Sequence, residues 1–388
     1  MKERTRVIHQ PAIEVPDDNR PLVAPIYQSV KFEVERIDDT LRMFRGERPG
    51  FFYTRDSNPT NRQLEQLLAD LQGREDCIVS GSGVAAISST LLSLCKAGDH
   101  VLGFVESYGP SRYLIRQLLA KFGVEYTLLS IEDDEGIERV LAGRPTRLVL
   151  FESPTNPVNK IADIERICAA ARGAGALAVM DNTFAGFHNH GQYDVDLFLH
   201  SLTKYASGHG DVMGGAIIGS RDLLRSIRRD AIAIGPVLDP HAAFLVLRGM
   251  KTYFLRYEAQ SAAAMRVAAW LEEQPAVARV HYPGLASHPR HALARRQMRD
   301  YGAVVTFDLQ GGMEEAREVV ESLELFAVAA SLGSVDSLVM PPQLMQPKDF
   351  TPEQTSLSAV TRSTIRLCIG AEDPDDLVAD LRQALAHI

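Results

Sequence analysis

The stretch TRLVLFESPTNPVNKIADIERICAAARGAGALAVMDN, residues 146–182, decides the fold class. It begins with an apolar run, continues through an amphipathic segment with helical spacing, and ends with a second apolar run. Two short apolar runs separated by a helix predict parallel strands joined by a helical crossover. Such strands form a sheet that helices cover on both faces.

The same alternation extends from about residue 76 towards residue 204. The apolar runs HVLGFVE (100–106) and VEYTLLS (124–130) flank the helical pattern SRYLIRQLLAKFG (111–123), and the apolar run VDLFL (195–199) follows later. We therefore predict an α/β protein whose large domain, residues 61–250, is built on a mostly parallel sheet.

The two ends of the chain have other patterns. Residues 1–60 are rich in proline and poorly periodic, which predicts an N-terminal arm. A long helical region (241–275), which contains Arg248, leads into strands and a final helix that starts at Asp375. Residues 251–388 are therefore predicted to form a smaller α/β C-terminal domain.

Composition excludes several classes of protein. The chain of 388 residues is 45% hydrophobic and 23% charged, which is typical of globular proteins. Acidic residues outnumber basic ones by 50 to 41, and no Lys/Arg run is long enough to follow a nucleic acid backbone. No signal peptide or membrane span is recognisable. We expect a cytoplasmic protein that binds neither nucleic acid nor membrane.

Cysteine and histidine spacing predicts no metal site. The four cysteines are scattered without a CxxC pair, so neither a disulfide framework nor a zinc site is indicated. The histidines of FHNH (187–190) and HYPGLASHPRH (281–291) have no carboxylate or cysteine at a convincing ligand spacing.

The stretch LHSLTKYASGHGDVMGG, residues 199–215, carries the chemistry. Lys204 follows one predicted strand, and Asp181 ends the strand ALAVMD before it. Ligands collect at the carboxyl ends of parallel strands. An amine and a carboxylate at adjacent strand ends suit pyridoxal phosphate, because the lysine forms a Schiff base with the aldehyde and the carboxylate keeps the pyridine nitrogen protonated.

A third feature is consistent with a phosphate group. SGSG (80–83) precedes an apolar helical pattern, so free backbone N–H groups and the positive end of a helix dipole would face an anion. Glycine loops before helices are common, so this loop indicates a phosphate site only in combination with Asp181 and Lys204.

Several short motifs of this chain resemble those of the Cys/Met-metabolism family of pyridoxal-phosphate enzymes, and they occur in the same order as in that family. The family includes cystathionine γ-synthase, cystathionine β- and γ-lyases and methionine γ-lyase. The resemblance runs from about residue 5 to the end and includes YTRDSNPT (53–60), SGVAAI (82–87), SYGPSR (107–112), FESPTNP (151–157), DNTFAG (181–186), HSLTKY (200–205), RGMKT (248–252), YPGLASHP (282–289), SLGSVDSL (331–338) and IRLCIG (365–370). It implies the fold-type I, aminotransferase-like architecture.

The resemblance also implies roles for individual residues. Lys204 matches the Schiff-base lysine, Asp181 the partner of the pyridine nitrogen, and Tyr108 the aromatic residue that stacks on the cofactor ring. Gly83, Val84, Ser201 and Thr203 match the residues that cradle the cofactor phosphate, and Thr183 is a further match to the cofactor site. Tyr53 and Arg55 match residues that reach the cofactor phosphate of a neighbouring subunit, which implies at least a dimer and, for this family, usually a homotetramer built as a dimer of dimers with shared active sites.

The predicted C-terminal domain contains a residue that could bind the carboxylate of the substrate. Arg366 alternates with Ile365 and Leu367, so it points away from their apolar face. It matches the arginine that binds the substrate α-carboxylate, a task that suits the guanidinium fork, and Asn156 and Ser331 match its helpers.

The chain departs from its relatives where the far end of the substrate would bind. Positions that are commonly polar in enzymes acting on cystathionine are Phe52, Tyr113 and Ala330 here, and Pro110 replaces the cysteine of methionine γ-lyases. MPPQLMQP (340–347) stands where the family has HPAxMTH. A charged ligand end would be costly in an apolar pocket, so these changes favour a small or apolar leaving group.

The predicted function is a carbon–sulfur lyase that acts on a sulfur amino acid and releases a thiol, a 2-oxo acid and ammonia. Three alternatives remain open at this point. They are γ-replacement on an acylated homoserine, transamination, and a cofactor-binding protein without turnover.

Overall fold

Near-continuous apolar runs form the large sheet of the protein. The computed structural model describes residue 19, residues 21–345 and residues 350–388. Residues 1–18 and 20 of the predicted arm, and residues 346–347 of MPPQLMQP, lie outside the described residues. The seven strands of the sheet are β1 (Asp76–Ser80), β2 (His100–Phe104), β3 (Glu125–Leu129), β4 (Leu148–Glu152), β5 (Leu177–Asp181), β6 (Leu197–Ser201) and β7 (Gly215–Gly219).

The strand order is β1-β7-β6-β5-β4-β2-β3. All neighbouring pairs from β6 to β3 are parallel, whereas β7 is antiparallel to both β1 and β6. The predicted α/β class with a mostly parallel sheet is therefore confirmed. Strands β2, β4 and β7 are buried along their whole length, because helices pack on both faces of the sheet.

Eight helices of the described residues surround or precede this sheet. They are α1 (Ile37–Phe44), α2 (Pro59–Gln72), α3 (Gly83–Leu94), α4 (Gly109–Tyr113), α5 (Asp134–Gly143), α6 (Ile164–Gly173), α7 (Arg221–Ile234) and α8 (Pro240–Met250). The Asp163 carboxylate caps α6 by accepting from the Arg166 N–H, so this helix begins at Ile164.

A second, five-stranded sheet lies in the C-terminal part, with order β10-β11-β12-β9-β8. Its strands are β8 (Val277–His281), β9 (Val304–Leu309), β10 (Ala327–Val328), β11 (Leu338–Met340) and β12 (Thr364–Cys368). The accompanying helices are α9 (Tyr253–Glu272), α10 (His291–Gln297), α11 (Met313–Ser322), α12 (Pro342–Met345), α13 (Pro352–Ser358) and α14 (Pro374–Leu385). The domain boundaries at residues 60/61 and 250/251 stay a prediction.

Two predicted helices are interrupted. The helical region 241–275 is two helices, and across the break the Arg256 guanidinium of α9 donates to the Gly249 carbonyl near the end of α8 at 2.8 Å. The pattern at 111–123 forms the short α4, a π-helical turn (Leu114–Leu118) and a 3₁₀ turn (Leu119–Phe122). These helix types differ in hydrogen-bond register and in residues per turn, but apolar spacing over four or five residues does not distinguish them.

Two buried histidines predict a loss of stability in mild acid. Burial lowers the pKa of His190 and of His200 to about 3, whereas histidine in an unfolded chain titrates near 6.5. Between pH 6.5 and pH 3 the unfolded state therefore binds more protons than the folded state. The contribution of these histidines to the free energy of unfolding is complete above pH 6.5 and is lost as the pH drops towards 3. At pH 5 each histidine should cost about 2 kcal/mol relative to pH 7.

Urea unfolding at pH 7 and pH 5 checks this expectation. The His200→Gln variant removes one of these groups, and its stability should fall by about 2 kcal/mol less over this interval than that of the wild-type protein. An unchanged pH dependence in that variant would contradict the assignment.

Candidate active site

Three adjacent parallel strands bring polar residues to one edge of the large sheet. Glu152 at the end of β4 is paired in register with Asp181 at the end of β5. Ser201 ends β6, and its backbone N–H donates to the Thr183 hydroxyl at 2.9 Å. The residues singled out at the strand ends therefore converge, as expected for the carboxyl edge of a parallel sheet.

The Asp181 carboxylate is held in place by Thr183. Its Oδ1 accepts hydrogen bonds from the Thr183 N–H at 3.1 Å and from the Thr183 hydroxyl at 2.6 Å. Burial raises the pKa of Asp181 despite these two bonds. A cationic group placed beside this carboxyl would favour its charged form.

Lys204 lies in the turn after β6, and its amine reaches the C-terminal part of the chain. The Nζ atom donates to the Ser331 hydroxyl at 2.8 Å. The turn is closed by the Gly208 N–H, which donates to the Lys204 carbonyl at 2.9 Å. Burial, together with the nearby Arg366 charge, lowers the pKa of the Lys204 amine. A larger fraction of the amine is therefore neutral near pH 7 than in a solvated lysine.

Arg366 on β12 is buried, with 4% of its surface exposed, and is not an ordinary exposed strand charge. Its Nη1 donates to Asn156 Oδ1 at 2.8 Å and its Nη2 to the Ser331 carbonyl at 2.9 Å. Nη2 also lies 2.9 Å from the Met340 sulfur. The structure thus brings together the three residues predicted to bind a carboxylate, and links them through Ser331 to Lys204.

The N-terminus of α3 lies beside the end of β6. Ser82 caps the helix, since its hydroxyl accepts from the Ala85 N–H at 3.1 Å. The N–H groups of Gly83 and Val84 precede the first intrahelical bond, from the Ala86 N–H to the Ser82 carbonyl. A Cβ atom at Gly83 would lie only 2.8 Å from the Ser201 Cβ, so a glycine is needed for this approach. Thr203, the other predicted phosphate ligand, accepts from the Gly214 N–H at 3.2 Å.

Tyr108 stands between the end of β2 and the start of α4 and is 41% exposed. Burial of its hydroxyl, and then the nearby Asp181 and Glu152 carboxylates, raise its pKa. Tyr108 therefore faces the same group of residues, and its hydroxyl stays protonated at neutral pH.

Tyr53 and Arg55 lie apart from this group. Tyr53 forms a β-bridge with Lys31, and the Arg55 guanidinium lies 5.3 Å from the centre of the Tyr53 ring. Arg55 lines a depression together with parts of α2, α7 and residues 236–238. Their role at the cofactor phosphate of a neighbouring subunit stays a prediction.

The sequence reasoning missed Glu152. The side chain is buried, and burial followed by repulsion from Asp181 raises its pKa well above the usual value. The signal was present, because Glu152 ends an apolar strand in the same way as Asp181. Met340 begins the stretch MPPQLMQP that the sequence had marked as unusual, but its contact with Arg366 was not predicted.

Within the described ranges, no three His, Cys, Asp or Glu side chains converge in a way that could hold a metal ion. No helix in the part of the chain that the structure describes is both long and apolar enough to cross a membrane.

Comparisons with known proteins extend over almost the whole chain. The family described as Cys/Met metabolism PLP-dependent enzyme matches residues 4–386. L-methionine gamma-lyase of Pseudomonas putida is 39% identical over 98% of this chain and 96% of that protein. O-succinylhomoserine sulfhydrylase of Pseudomonas aeruginosa is 36% identical over 90% of this chain and 87% of that protein.

Solved structures agree with these matches. Cystathionine gamma synthase from Xanthomonas oryzae pv. oryzae, in complex with cystathionine, has a TM-score of 0.88 and 34% identity over 94% of this chain and 93% of that chain. A putative O-acetylhomoserine (thiol)-lyase from Campylobacter jejuni, which carries N'-pyridoxyl-lysine-5'-monophosphate, has a TM-score of 0.90 and 32% identity over 97% and 98% of the two chains. These similarities confirm the predicted fold class.

Proposed function

The chain belongs to the Cys/Met-metabolism family of pyridoxal-phosphate-dependent enzymes, and from that premise we propose that it is a carbon–sulfur lyase with a small, uncharged leaving group. It would release a thiol from the β or γ carbon of a sulfur amino acid and yield a 2-oxo acid and ammonia. The observation that supports this choice is the apolar wall of the pocket beside Arg366.

The residues at the strand ends fit pyridoxal phosphate. A protonated ring nitrogen beside Asp181 would supply the cation that this buried carboxyl needs. The N–H groups of Gly83 and Val84, with the Ser201 and Thr203 hydroxyls, form a cradle suited to the phosphate. Lys204 has the lowered pKa that an amine reacting with an aldehyde requires. The bound cofactor supplies an electron sink for the charge left at the substrate Cα.

The chain's own residues bind the substrate and move its protons. The Arg366 guanidinium binds the α-carboxylate, and Asn156 and Ser331 orient the guanidinium. The neutral Lys204 amine takes the Cα proton, and the Ser331 hydroxyl holds that amine in position. The protonated Tyr108 hydroxyl donates its proton to the departing sulfur.

The leaving group would enter a pocket that begins at Tyr108 and Arg366. Its apolar lining side chains are Val105, Pro110, Pro157, Met340, Leu344, Met345, Phe350 and Val360. Polar side chains also line it, namely Glu106, Ser107, Arg112, Asn156 and Ser358. Desolvating the second amino-acid end of cystathionine against the apolar side chains would be costly, whereas an S-methyl group would lose nothing. This contrast favours methionine-like substrates over cystathionine.

A substrate panel tests the proposal. Methionine, cysteine, homocysteine, cystathionine and acylated homoserines are each assayed for ammonia, 2-oxo acid and thiol, with and without an added thiol. We expect kcat/KM for methionine to exceed that for cystathionine by at least about tenfold, equivalent to roughly 1–3 kcal/mol.

Other results of the panel would replace the lyase assignment. Product formation only from an acylated homoserine plus thiol would show γ-replacement. A stable pyridoxamine form without free ammonia would show transamination, and cofactor binding without any product would show a non-catalytic protein.

Assembly into a homotetramer with shared active sites is also proposed. Large apolar side chains are exposed along the N-terminal segment of the single chain, including Val30 at 56%, Phe44 at 65% and Phe52 at 39%. Tyr113 is 60% exposed. Such a surface favours a second copy, and Tyr53 and Arg55 of the arm would then reach its cofactor.

We further propose that residues 61–250 bind the cofactor, that residues 251–388 form the C-terminal domain, and that the enzyme acts in the cytoplasm. None of the four cysteines is paired in a disulfide, which is consistent with that compartment.

A further inference from the structure

One wall of the leaving-group pocket comes from a short segment, residues 350–358, that contains α13. Phe350 and Ser358 of this segment line the pocket. The opposite wall is formed by residues 105–110 and by Asn156. The width of the pocket therefore depends on what holds residues 350–358 against the large sheet.

Lys160 makes that connection. Its Nζ donates to the Leu357 carbonyl at 2.6 Å and to Glu106 Oε1 at 2.8 Å. Leu357 is 197 residues away in sequence and belongs to the last turn of α13. Only 13% of the Lys160 side chain is exposed, so water competes poorly for these bonds.

The Glu106 carboxylate is a fixed anchor for this ammonium group. Only 1% of its side chain is exposed. It accepts from the Ser130 hydroxyl at 2.8 Å and from the Ile131 N–H at 3.1 Å, both just after β3. The carboxylate therefore has little freedom to follow a movement of α13.

The same loop that carries Lys160 also carries Asn156. The loop is closed by the Thr155 N–H, which donates to the Lys160 carbonyl at 3.0 Å, and by the Lys160 N–H, which donates to the Thr155 hydroxyl at 3.1 Å. Asn156 in turn accepts from Arg366. Lys160 therefore connects the pocket wall with the group that orients the proposed carboxylate ligand.

A second contact acts at the other end of the segment. The Arg112 guanidinium lies 4.6 Å from the centre of the Phe350 ring, and its Nη1 donates to the Val105 carbonyl at 3.1 Å. The segment is thus attached at both ends to the part of the large sheet that follows β2.

We propose that Lys160 is a positioning residue that holds residues 350–358 as a wall of the substrate pocket through its bond to the Leu357 carbonyl. Its effect on substrate binding rests on the proposed function, but its effect on the wall does not. The inference therefore has two separate readouts.

The test uses the Lys160→Met variant of the full enzyme with its cofactor bound. Hydrogen–deuterium exchange in peptides covering 350–358 should become about tenfold faster. KM for methionine should rise by about tenfold, while kcat should stay within about twofold of the wild-type value. These changes correspond to the loss of one charge-assisted hydrogen bond. The Lys121→Met variant removes an exposed lysine and should change neither quantity.

A double variant separates the wall contact from the effect of an unpaired buried carboxylate. Lys160→Met leaves Glu106 buried without this cation, whereas Lys160→Met with Glu106→Gln removes both charges of that buried pair. The other ion-pair partner of Lys160, Glu132 at 3.3 Å, is more exposed and is the same in both variants. If the wall contact is decisive, exchange and KM stay raised in the double variant. Recovery of both in the double variant, or unchanged exchange in Lys160→Met, would overturn the inference. If no substrate is turned over, the exchange measurement still decides it.

Discussion

Replacing Lys204 with arginine is expected to lower kcat by about 10²–10⁴-fold, the usual contribution of a positioned general base. Arginine keeps the positive charge and much of the length of the side chain. Its guanidinium cannot lose a proton in a protein, however, so it cannot accept the substrate Cα proton. The lowered pKa of the Lys204 amine is the property that this substitution removes.

Two measurements accompany this variant. Borohydride reduction followed by peptide mass analysis should attach the cofactor to Lys204 in the wild-type enzyme and leave the Lys204→Arg protein unlabelled. The matched control is Lys251→Arg at an exposed lysine, which should keep wild-type kcat. Retention of more than a tenth of kcat by Lys204→Arg would refute the role of this amine.

Replacing Arg366 with lysine is expected to raise KM by about 10- to 100-fold, because a bond to a charged group contributes roughly 1.5–3 kcal/mol and lysine can make only one of the two bonds that the fork can make. Lysine keeps the charge but has a single nitrogen. That nitrogen cannot donate at the same time to Asn156, to the Ser331 carbonyl and to a substrate carboxylate, whereas the several N–H groups of the guanidinium can.

Steady-state kinetics and thermal unfolding are measured together for this variant. Arg366 is buried, so a large loss of stability would indicate a structural effect, whereas a raised KM in a stably folded protein supports carboxylate binding. Arg362→Lys, at an exposed position just before the same strand, provides the control. A KM within threefold of the wild-type value in Arg366→Lys would contradict the assignment.

The positions of Asp181 and Lys204 could be predicted because each follows a short apolar run. In a parallel sheet the direction of every strand follows from the crossover connections, so the residues after these runs must meet at one edge. Glu152 obeys the same rule and was overlooked only because its strand end was not assigned a chemical role. The side of β12 on which Arg366 projects followed from the period of two along the strand.

Other features could not be predicted from local patterns. The π-helical and 3₁₀ turns at 114–122, and the division of 241–275 into α8 and α9, depend on hydrogen bonds that apolar spacing does not specify. The burial of Arg366 depends on Asn156, Ser331 and Met340, which come from three separate parts of the chain.

The order of apolar runs and strand-end residues in the sequence by itself determined the α/β class and pointed to the pair Asp181 and Lys204, and the resemblance of the motifs identified the family. Periodicity is a local property, and it predicts only which way a side chain faces on its own helix or strand. Only the tertiary structure decided that Lys160 reaches Leu357 and that Ser331 lies between Lys204 and Arg366. Such contacts between distant segments arise from the packing of whole elements, and no spacing within either segment encodes them.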